Sequence, residues 1–168
     1  MTLREQLHDY FKAWTFNRMH HALHIPYPIE EERSACFLCN GFSSKMDMIQ
    51  KAEQQLMHST MMDIHHAGVL RNEFSYQSFE LYFNAKEPEY TNAEGLAQAT
   101  DRAQTMLFGF IKDITRDHKR CKKNHIQELP FFFDIDNLKW DADGPFGDGW
   151  ETFTLHLPIV KPFNYCDE

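Results

Sequence analysis

The sequence predicts an α+β fold, in which one antiparallel or mixed sheet carries an N-terminal helix and one long helix on the same face. Three observations predict it. Two segments place apolar residues at helical spacing, several others are apolar or alternating as strands are, and turn-forming glycine, proline and aspartate separate them. A chain of 168 residues fits one domain, residues 1–168, and can bury a substantial core.

The composition narrows the class of protein. Aromatic residues make up 14% of the chain, which predicts a packed domain rather than a disordered one. The formal net charge of −8 argues against broad affinity for nucleic acid or for an anionic membrane, because phosphate binding requires clustered Lys and Arg. No apolar run is long enough to span a bilayer, and the N-terminus lacks the apolar core of a signal peptide. We therefore expect a protein made in the cytoplasm, with its four cysteines reduced.

An amphipathic helix is predicted over residues 2–23. It opens with Thr-x-x-Glu, the spacing of a capping box, in which each side chain satisfies a backbone N–H group of the other residue. The apolar stripe that follows consists of Leu3, Leu7, Tyr10, Phe11 and Trp14. We expect this stripe in the core, with a partner-binding face as the alternative. The helix should end near His24, because Pro26 and Pro28 follow.

The next segments are a connector, a strand and an ambiguous stretch. Residues 25–33 contain two prolines and predict an extended connector. Residues 34–42 form a short apolar run, which predicts a buried strand at 35–40. Residues 45–66 match helical spacing, which predicts a helix that ends before Gly68; a pair of strands is the alternative.

A strand and the long helix occupy the middle of the chain. Alternating aromatic and polar residues predict a strand at 74–84. A helix is predicted at 95–119, with Phe110 on its apolar face. The basic run from Arg116 to Lys123 suits the negative end of the helix dipole, so we interpret it as a solvated helix end.

A β-hairpin with a long acidic tip is predicted near the C-terminus, from strands at 130–139 and 150–159. The second strand alternates cleanly, with Phe153 and Leu155 on one face and Trp150 on the other. The Asp- and Gly-rich tip supplies the turn positions that a reversal needs. We expect Phe153 and Leu155 in the core. Trp150 should anchor the closing strand as a core residue, with a subunit interface as the alternative.

Histidine and cysteine spacing offers a second class of function, a small cytosolic metal-binding or redox protein. His20 and His24 are spaced to share one helix face, and Cys36-x-x-Cys39 has the spacing of a zinc half-site or a redox pair. The intervening Glu of a HExxH site and a second CxxC pair are absent from the sequence. A strand would also place the two thiols on opposite faces. We therefore prefer surface histidines and buried thiols, with no metal bound.

The sequence contains no signature of an enzyme or of a cofactor site. The P-loop, GxSxG and GxGxxG motifs are absent. The aspartates of the hairpin tip lack the spacing of an EF-hand and its terminal Glu, so we interpret them as turn residues. We expect no catalytic residues and no cofactor.

The order of parts resembles small structural proteins of tailed-bacteriophage necks and tails, of the tail-terminator, tail-completion or head–tail connector type. The similarity covers most of the chain and rests on IPYPIEEERSACFL, FSYQSFELYF, YTNAEGLAQATDRAQTMLFGFIKDI and FGDGWETFTLHLPIVKPFNYC; residues 45–66 do not match. The resemblance implies a virion protein that forms a homo-oligomeric ring, hexameric or dodecameric, and contacts the tail tube or connector. It implies no membrane and no specific nucleic-acid contact, although DNA can pass through such a ring. A cytosolic regulator or adaptor is a third class, which a strictly monomeric protein would favour.

Overall fold

The structure, a computed structural model, describes residues 2–24, 34–40, 57–87, 92–124, 131–146 and 149–162. The helices are α1 (Leu3–Asn17), α2 (Met19–Leu23) and α3 (Ala93–Asn124). The strands are β1 (Ser34–Cys39), β2 (His58–Arg71), β3 (Phe74–Lys86), β4 (Phe132–Phe133), β5 (Lys139–Phe146) and β6 (Trp150–Pro162). These elements confirm the α+β class.

The strands form one mixed sheet in the order β1-β2-β3-β6, and both β4 and β5 pair with the outer edge of β6. β1 and β2 are parallel, and the other described pairs are antiparallel. The two central strands, β3 and β6, pair from Phe74↔Pro162 to Lys86↔Trp150. Because directly paired residues share a face of the sheet, this register decides which side chains meet the helices.

α1 and α3 pack on one face of the sheet, which we call the helix face. The odd-numbered residues at the centres of β3 and β6 point to this face and form the core with the apolar stripes of the two helices. The ring centroid of Phe110 in α3 lies 5.1 Å from those of both Phe11 and Trp14 in α1, and 5.6 Å from that of Phe83 in β3. The prediction that both helices pack on one face is confirmed.

α1 begins at the predicted capping box. Oγ1 of Thr2 accepts from the backbone N–H of Glu5 at 3.3 Å, and Oε2 of Glu5 accepts from that of Thr2 at 2.6 Å. The prediction of one unbroken N-terminal helix is wrong, because Arg18, with φ −125°, separates α1 from α2. The side chain of Arg18 pairs with Asp117 of α3 at 2.6 Å, a tertiary contact that the local pattern does not contain. α2 ends at His24, which has φ 54°, close to the predicted end.

The helix predicted at 45–66 is wrong where the structure describes that segment. Residues 58–66 belong to β2, which continues past Gly68 to Arg71; residues 45–56 lie outside the described residues. The first six residues of β2 are buried on both faces, and polar and apolar residues do not alternate among them, so the sequence shows no period of two there. Pairing with β1 and β3 fixes the strand there, rather than local propensity. The strand alternative therefore holds for residues 58–66.

The strand predicted at 130–139 is interrupted, which corrects that prediction. After the two residues of β4, the backbone N–H of Asn137 donates to the carbonyl oxygen of Asp134 at 3.2 Å. Nδ2 of Asn137 also donates to Oδ2 of Asp134 at 2.7 Å. These bonds hold a single 3-10 turn at Ile135–Asn137, and pairing with β6 resumes in β5. Asx-type side-chain bonds of this kind compete with strand pairing.

A C-terminal hairpin is present, with β5 and β6 paired from Phe146↔Trp150, but the predicted long acidic tip is wrong, because Asp141 and Asp143 lie in β5. Gly144 and Gly149 have φ of +69° and +78°, the conformation expected of the tip glycines. Residues 147–148 of the tip lie outside the described residues. The strand predictions that correspond to β1, β3 and β6 hold, and α3 extends past its predicted end.

Candidate assembly surface

We call the face of the sheet opposite the helices the second face. One end of it, next to the turn of the β5–β6 hairpin, is buried, and we call this the closed end. Asn84 has no exposed surface there, although its side chain is polar. Its Nδ2 donates to the carbonyl oxygen of Ser59 at 3.2 Å, and its Oδ1 accepts from Oγ1 of Thr152 at 2.6 Å. Because these polar groups have partners, their burial is tolerated.

At the other end, the open end, the second face is apolar and exposed. Val69 of β2 pairs with Tyr76 of β3, Tyr76 pairs with Val160 of β6, and Val160 pairs with Phe132 of β4. These four residues, which we call the apolar row, therefore stand in one line across four strands. Val69 is 46% exposed, Tyr76 and Phe132 are each 37% exposed, and Phe74 beside the row is 40% exposed. Contiguous exposed apolar surface marks an interaction site.

The row begins on a hairpin formed by the distal parts of β2 and β3. The last seven residues of β2 are exposed, and Asn72 and Glu73 reverse the chain with φ of 47° and 66°. Leu70, 52% exposed, follows Val69 in sequence but points to the opposite side of the hairpin. The hairpin therefore presents apolar side chains on both sides, and the side of Val69 continues into the apolar row.

A buried charged cluster lies at the closed end, on the helix face. Nη2 of Arg102 in α3 donates to the carbonyl oxygen of Lys86 at 2.8 Å and lies 3.9 Å from Oε2 of Glu87. His58 of β2 is held neutral, because burial and the nearby Arg102 lower its pKa to about 4. Glu151 of β6 is 7% exposed, and burial raises its pKa. The cluster ties α3 to the ends of β3 and β6, so we interpret it as structural.

The five residues that the sequence predicts as core or interface are all buried. Trp14, Phe110, Phe153 and Leu155 belong to the core on the helix face. Trp150, 1% exposed, lies on the second face at the closed end. These side chains therefore pack within one molecule. The apolar row, by contrast, is exposed, and the sequence analysis did not single it out.

The sequence of β3, the aromatic strand, contains a signal for the apolar row. β3 places Phe79 and Phe83 on the helix face and Phe74 and Tyr76 on the second face. A strand covered by helices on one face needs apolar side chains on that face alone, so the surplus aromatics indicate a second contact. The contributions of Val160 and Phe132 depend on the register of β4 and β6, which the sequence pattern does not contain.

The four residues of the metal or redox alternative do not form a ligand set. His20 is buried, which lowers its pKa, whereas His24 is exposed at the left-handed end of α2. Cys36 and Cys39 are reduced thiols in β1, where their spacing directs them to opposite faces. In the part of the chain that the structure describes, no group of three or more His, Cys, Asp or Glu side chains is placed to hold a metal ion.

Comparison with known proteins assigns no family to the chain. No protein-family model matches the sequence, and no curated protein shows significant similarity to it. Among the described residues, no helix is both long and apolar enough to cross a membrane.

Proposed function

We propose that this protein is a structural component of a tailed-phage virion, and that it assembles into a homo-oligomeric ring in the neck or at the end of the tail. The ring, a hexamer or a dodecamer, joins the tail tube to the head connector. On this proposal the protein is made in the host cytoplasm, is not an enzyme and needs no cofactor. DNA passes through the ring without a specific contact.

The apolar row is the observation that carries the self-assembly part of the proposal. Domains are built from packed layers, and among the described elements both long helices lie on the helix face. A neighbouring subunit over the open end supplies a second layer there. Covering apolar surface contributes about 25 cal/mol per Å², and aromatic residues such as Tyr76 and Phe132 are enriched at interfaces.

The order of the elements supports the place in the virion. The N-terminal helix, the aromatic strand, the long helix and the closing strand occur in the order in which they resemble tail-terminator and connector proteins. The metal or redox alternative has no comparable support, because the described residues contain no ligand set.

A matched pair of substitutions on one hairpin tests the assembly surface. Val69→Glu places a carboxylate in the apolar row, and Leu70→Glu places the same group at the adjacent exposed position on the opposite side. We expect the wild type and Leu70→Glu to form the ring, and Val69→Glu to weaken assembly by about tenfold or more, because a buried unpaired charge costs well over 1.4 kcal/mol. Sedimentation velocity and native mass spectrometry measure the assembly.

The melting curves of the two variants at low concentration provide the folding control, since both positions are exposed in the monomer. A wild type that stays monomeric at all concentrations would rule out the ring. Equal assembly of both variants would show that the apolar row is not the contact. Antibody labelling of purified particles checks the location, and absence of the protein from particles would favour a cytosolic adaptor.

A further inference from the structure

Charge is divided unevenly along this chain. Residues 112–124, the C-terminal part of α3, carry six Lys or Arg and two Asp, a net charge of +4. Because the whole chain has a net charge of −8, the remaining residues are strongly acidic. A basic surface on an acidic protein attracts acidic surfaces, including those of a second copy of the same protein.

Two basic residues of α3, Lys112 and Arg116, line a cleft together with Arg18 and His21, and we call it the basic cleft. α2 and α3 cross closely beside it, since a Cβ on Gly109 would lie 2.5 Å from that of Ala22. The cleft therefore lies between α2 and α3, and no strand residue lines it among the described residues.

The carboxylates in and beside this cleft, Asp113 and Asp117, already have partners. Asp113 accepts from Nε1 of Trp14 at 2.9 Å and pairs with Arg116 at 2.9 Å. Asp117 accepts from the hydroxyl of Tyr10 at 2.8 Å and also pairs with Arg18. Burial and the hydrogen bond to Asp117 raise the pKa of Tyr10. Lys112 is exposed, and no carboxylate of the described residues pairs with it.

Acidic residues are concentrated at the outer edge of the sheet, where Asp134 and Asp136 also line a cleft with Lys119 of α3 in the same molecule. Residues 131–146 contain one Lys and four aspartates. We call these aspartates the acid edge; they are Asp134, Asp136, Asp141 and Asp143. The side chain of Asp141 is 69% exposed, although Nε2 of His156 lies 3.0 Å from its Oδ2. In the described part of the chain, β5 pairs with β6 alone, so its outer side is available to a partner.

We infer that the basic cleft of one copy of this protein receives the acid edge of the next copy. The inference rests on the proposed function, because it specifies how neighbouring ring subunits meet. The two surfaces share no residue, so the contact is head-to-tail, which is the geometry that closes a ring or extends a filament. A protein partner is favoured over nucleic acid, since the acidic remainder of the chain repels phosphate.

A charge-swap experiment tests the contact. The cleft variant carries His21→Glu and Lys112→Glu, and the edge variant carries Asp136→Lys and Asp141→Lys, all at exposed positions. We expect each variant alone to assemble about tenfold more weakly than the wild type, and an equimolar mixture to regain assembly. In the mixture the acidic cleft of one variant meets the basic edge of the other, and the unaltered cleft of the edge variant meets the unaltered edge of the cleft variant. Wild-type assembly should also weaken in about 1 M salt, where the Debye length is about 3 Å.

The matched control carries Lys12→Glu and Asp101→Lys, which make the same kinds of charge change at exposed positions outside both surfaces. It should assemble as the wild type does. A mixture that assembles no better than its separate components would overturn the inference, as would variants that assemble normally but lose binding to a DNA duplex. Variants that assemble as well as the wild type overturn the inference and leave the ring proposal standing, whereas a monomeric wild type overturns both.

Discussion

The closed and open ends of the second face differ in what they bury, although β3 and β6 run through both. The closed end buries polar Asn84 and Thr152, whereas the open end exposes Val69, Tyr76 and Phe132. A face turned only to water would show the opposite distribution. Polar groups with hydrogen-bond partners are therefore buried inside the monomer, whereas apolar groups are exposed where the proposed contact between subunits forms.

The largest effect expected at the closed end follows from Trp150. Trp150→Ala should lower the free energy of unfolding by about 3–5 kcal/mol, because it empties a buried site. Trp140→Ala is the matched control, since Trp140 is 43% exposed and lies at the sheet edge against Phe108, with ring centroids 5.6 Å apart. It should cost clearly less. Urea unfolding of dilute protein measures both.

The same pair of variants also tests whether Trp150 is a core residue or a contact residue. If Trp150→Ala unfolds at the wild-type midpoint and loses only the oligomer, Trp150 is a contact residue and the closed end is not core. Trp150→Phe refines the measurement, because no described group accepts a hydrogen bond from Nε1 of Trp150. Phe should therefore retain most of the stability that Ala loses.

Acid should weaken the closed end through His58. Its pKa is about 4 in the folded protein, against 6.5 for an unperturbed histidine, so the unfolded chain binds the proton more readily between these values. Neutral His58 therefore makes its full contribution to stability above pH 6.5. As the pH falls toward 4, the free energy of unfolding decreases, by on the order of 3 kcal/mol at most. Glu151, whose pKa is raised, works in the opposite direction and offsets part of this loss.

Denaturant unfolding at a series of pH values between about 4 and 7 measures this effect. His58→Phe removes the titrating group, so its stability should fall less steeply over that range. An equally steep fall in His58→Phe would assign the acid sensitivity to other groups.

The smallest of these effects compares two amides on β3. Asn84→Ala leaves Thr152 and Ser59 without their buried partner and should cost about 1–3 kcal/mol. Gln77 is half-buried on the helix face of the same strand and donates to Oγ of Ser75 at 2.9 Å; Gln77→Ala should change stability by about 0.5 kcal/mol or less. Equal losses, measured by thermal unfolding, would show that the buried amide of the closed end is no more constrained than this half-buried amide.

Much of the fold was predictable because its signals are local. The capping box of Thr2 and Glu5, the helical stripe through Phe11 and Trp14, and the alternation of Phe153 with Thr154 each act within a few residues. They correctly predict where α1 begins, which helix residues enter the core and which strand residues face the helices. The proposed virion role came from the resemblance, and it remains a prediction.

The rest depends on residues that are distant in sequence. Arg18 interrupts the N-terminal helix where it meets Asp117, and residues 58–66 form a strand because β1 and β3 pair with them on either side. The apolar row likewise requires the register of four strands, since Val69 and Phe132 become neighbours of Tyr76 and Val160 only in the folded sheet. Local propensity amounts to a few tenths of a kcal/mol per residue, whereas burial of a large side chain contributes about 1.5–3 kcal/mol, so tertiary partners prevail where the two conflict.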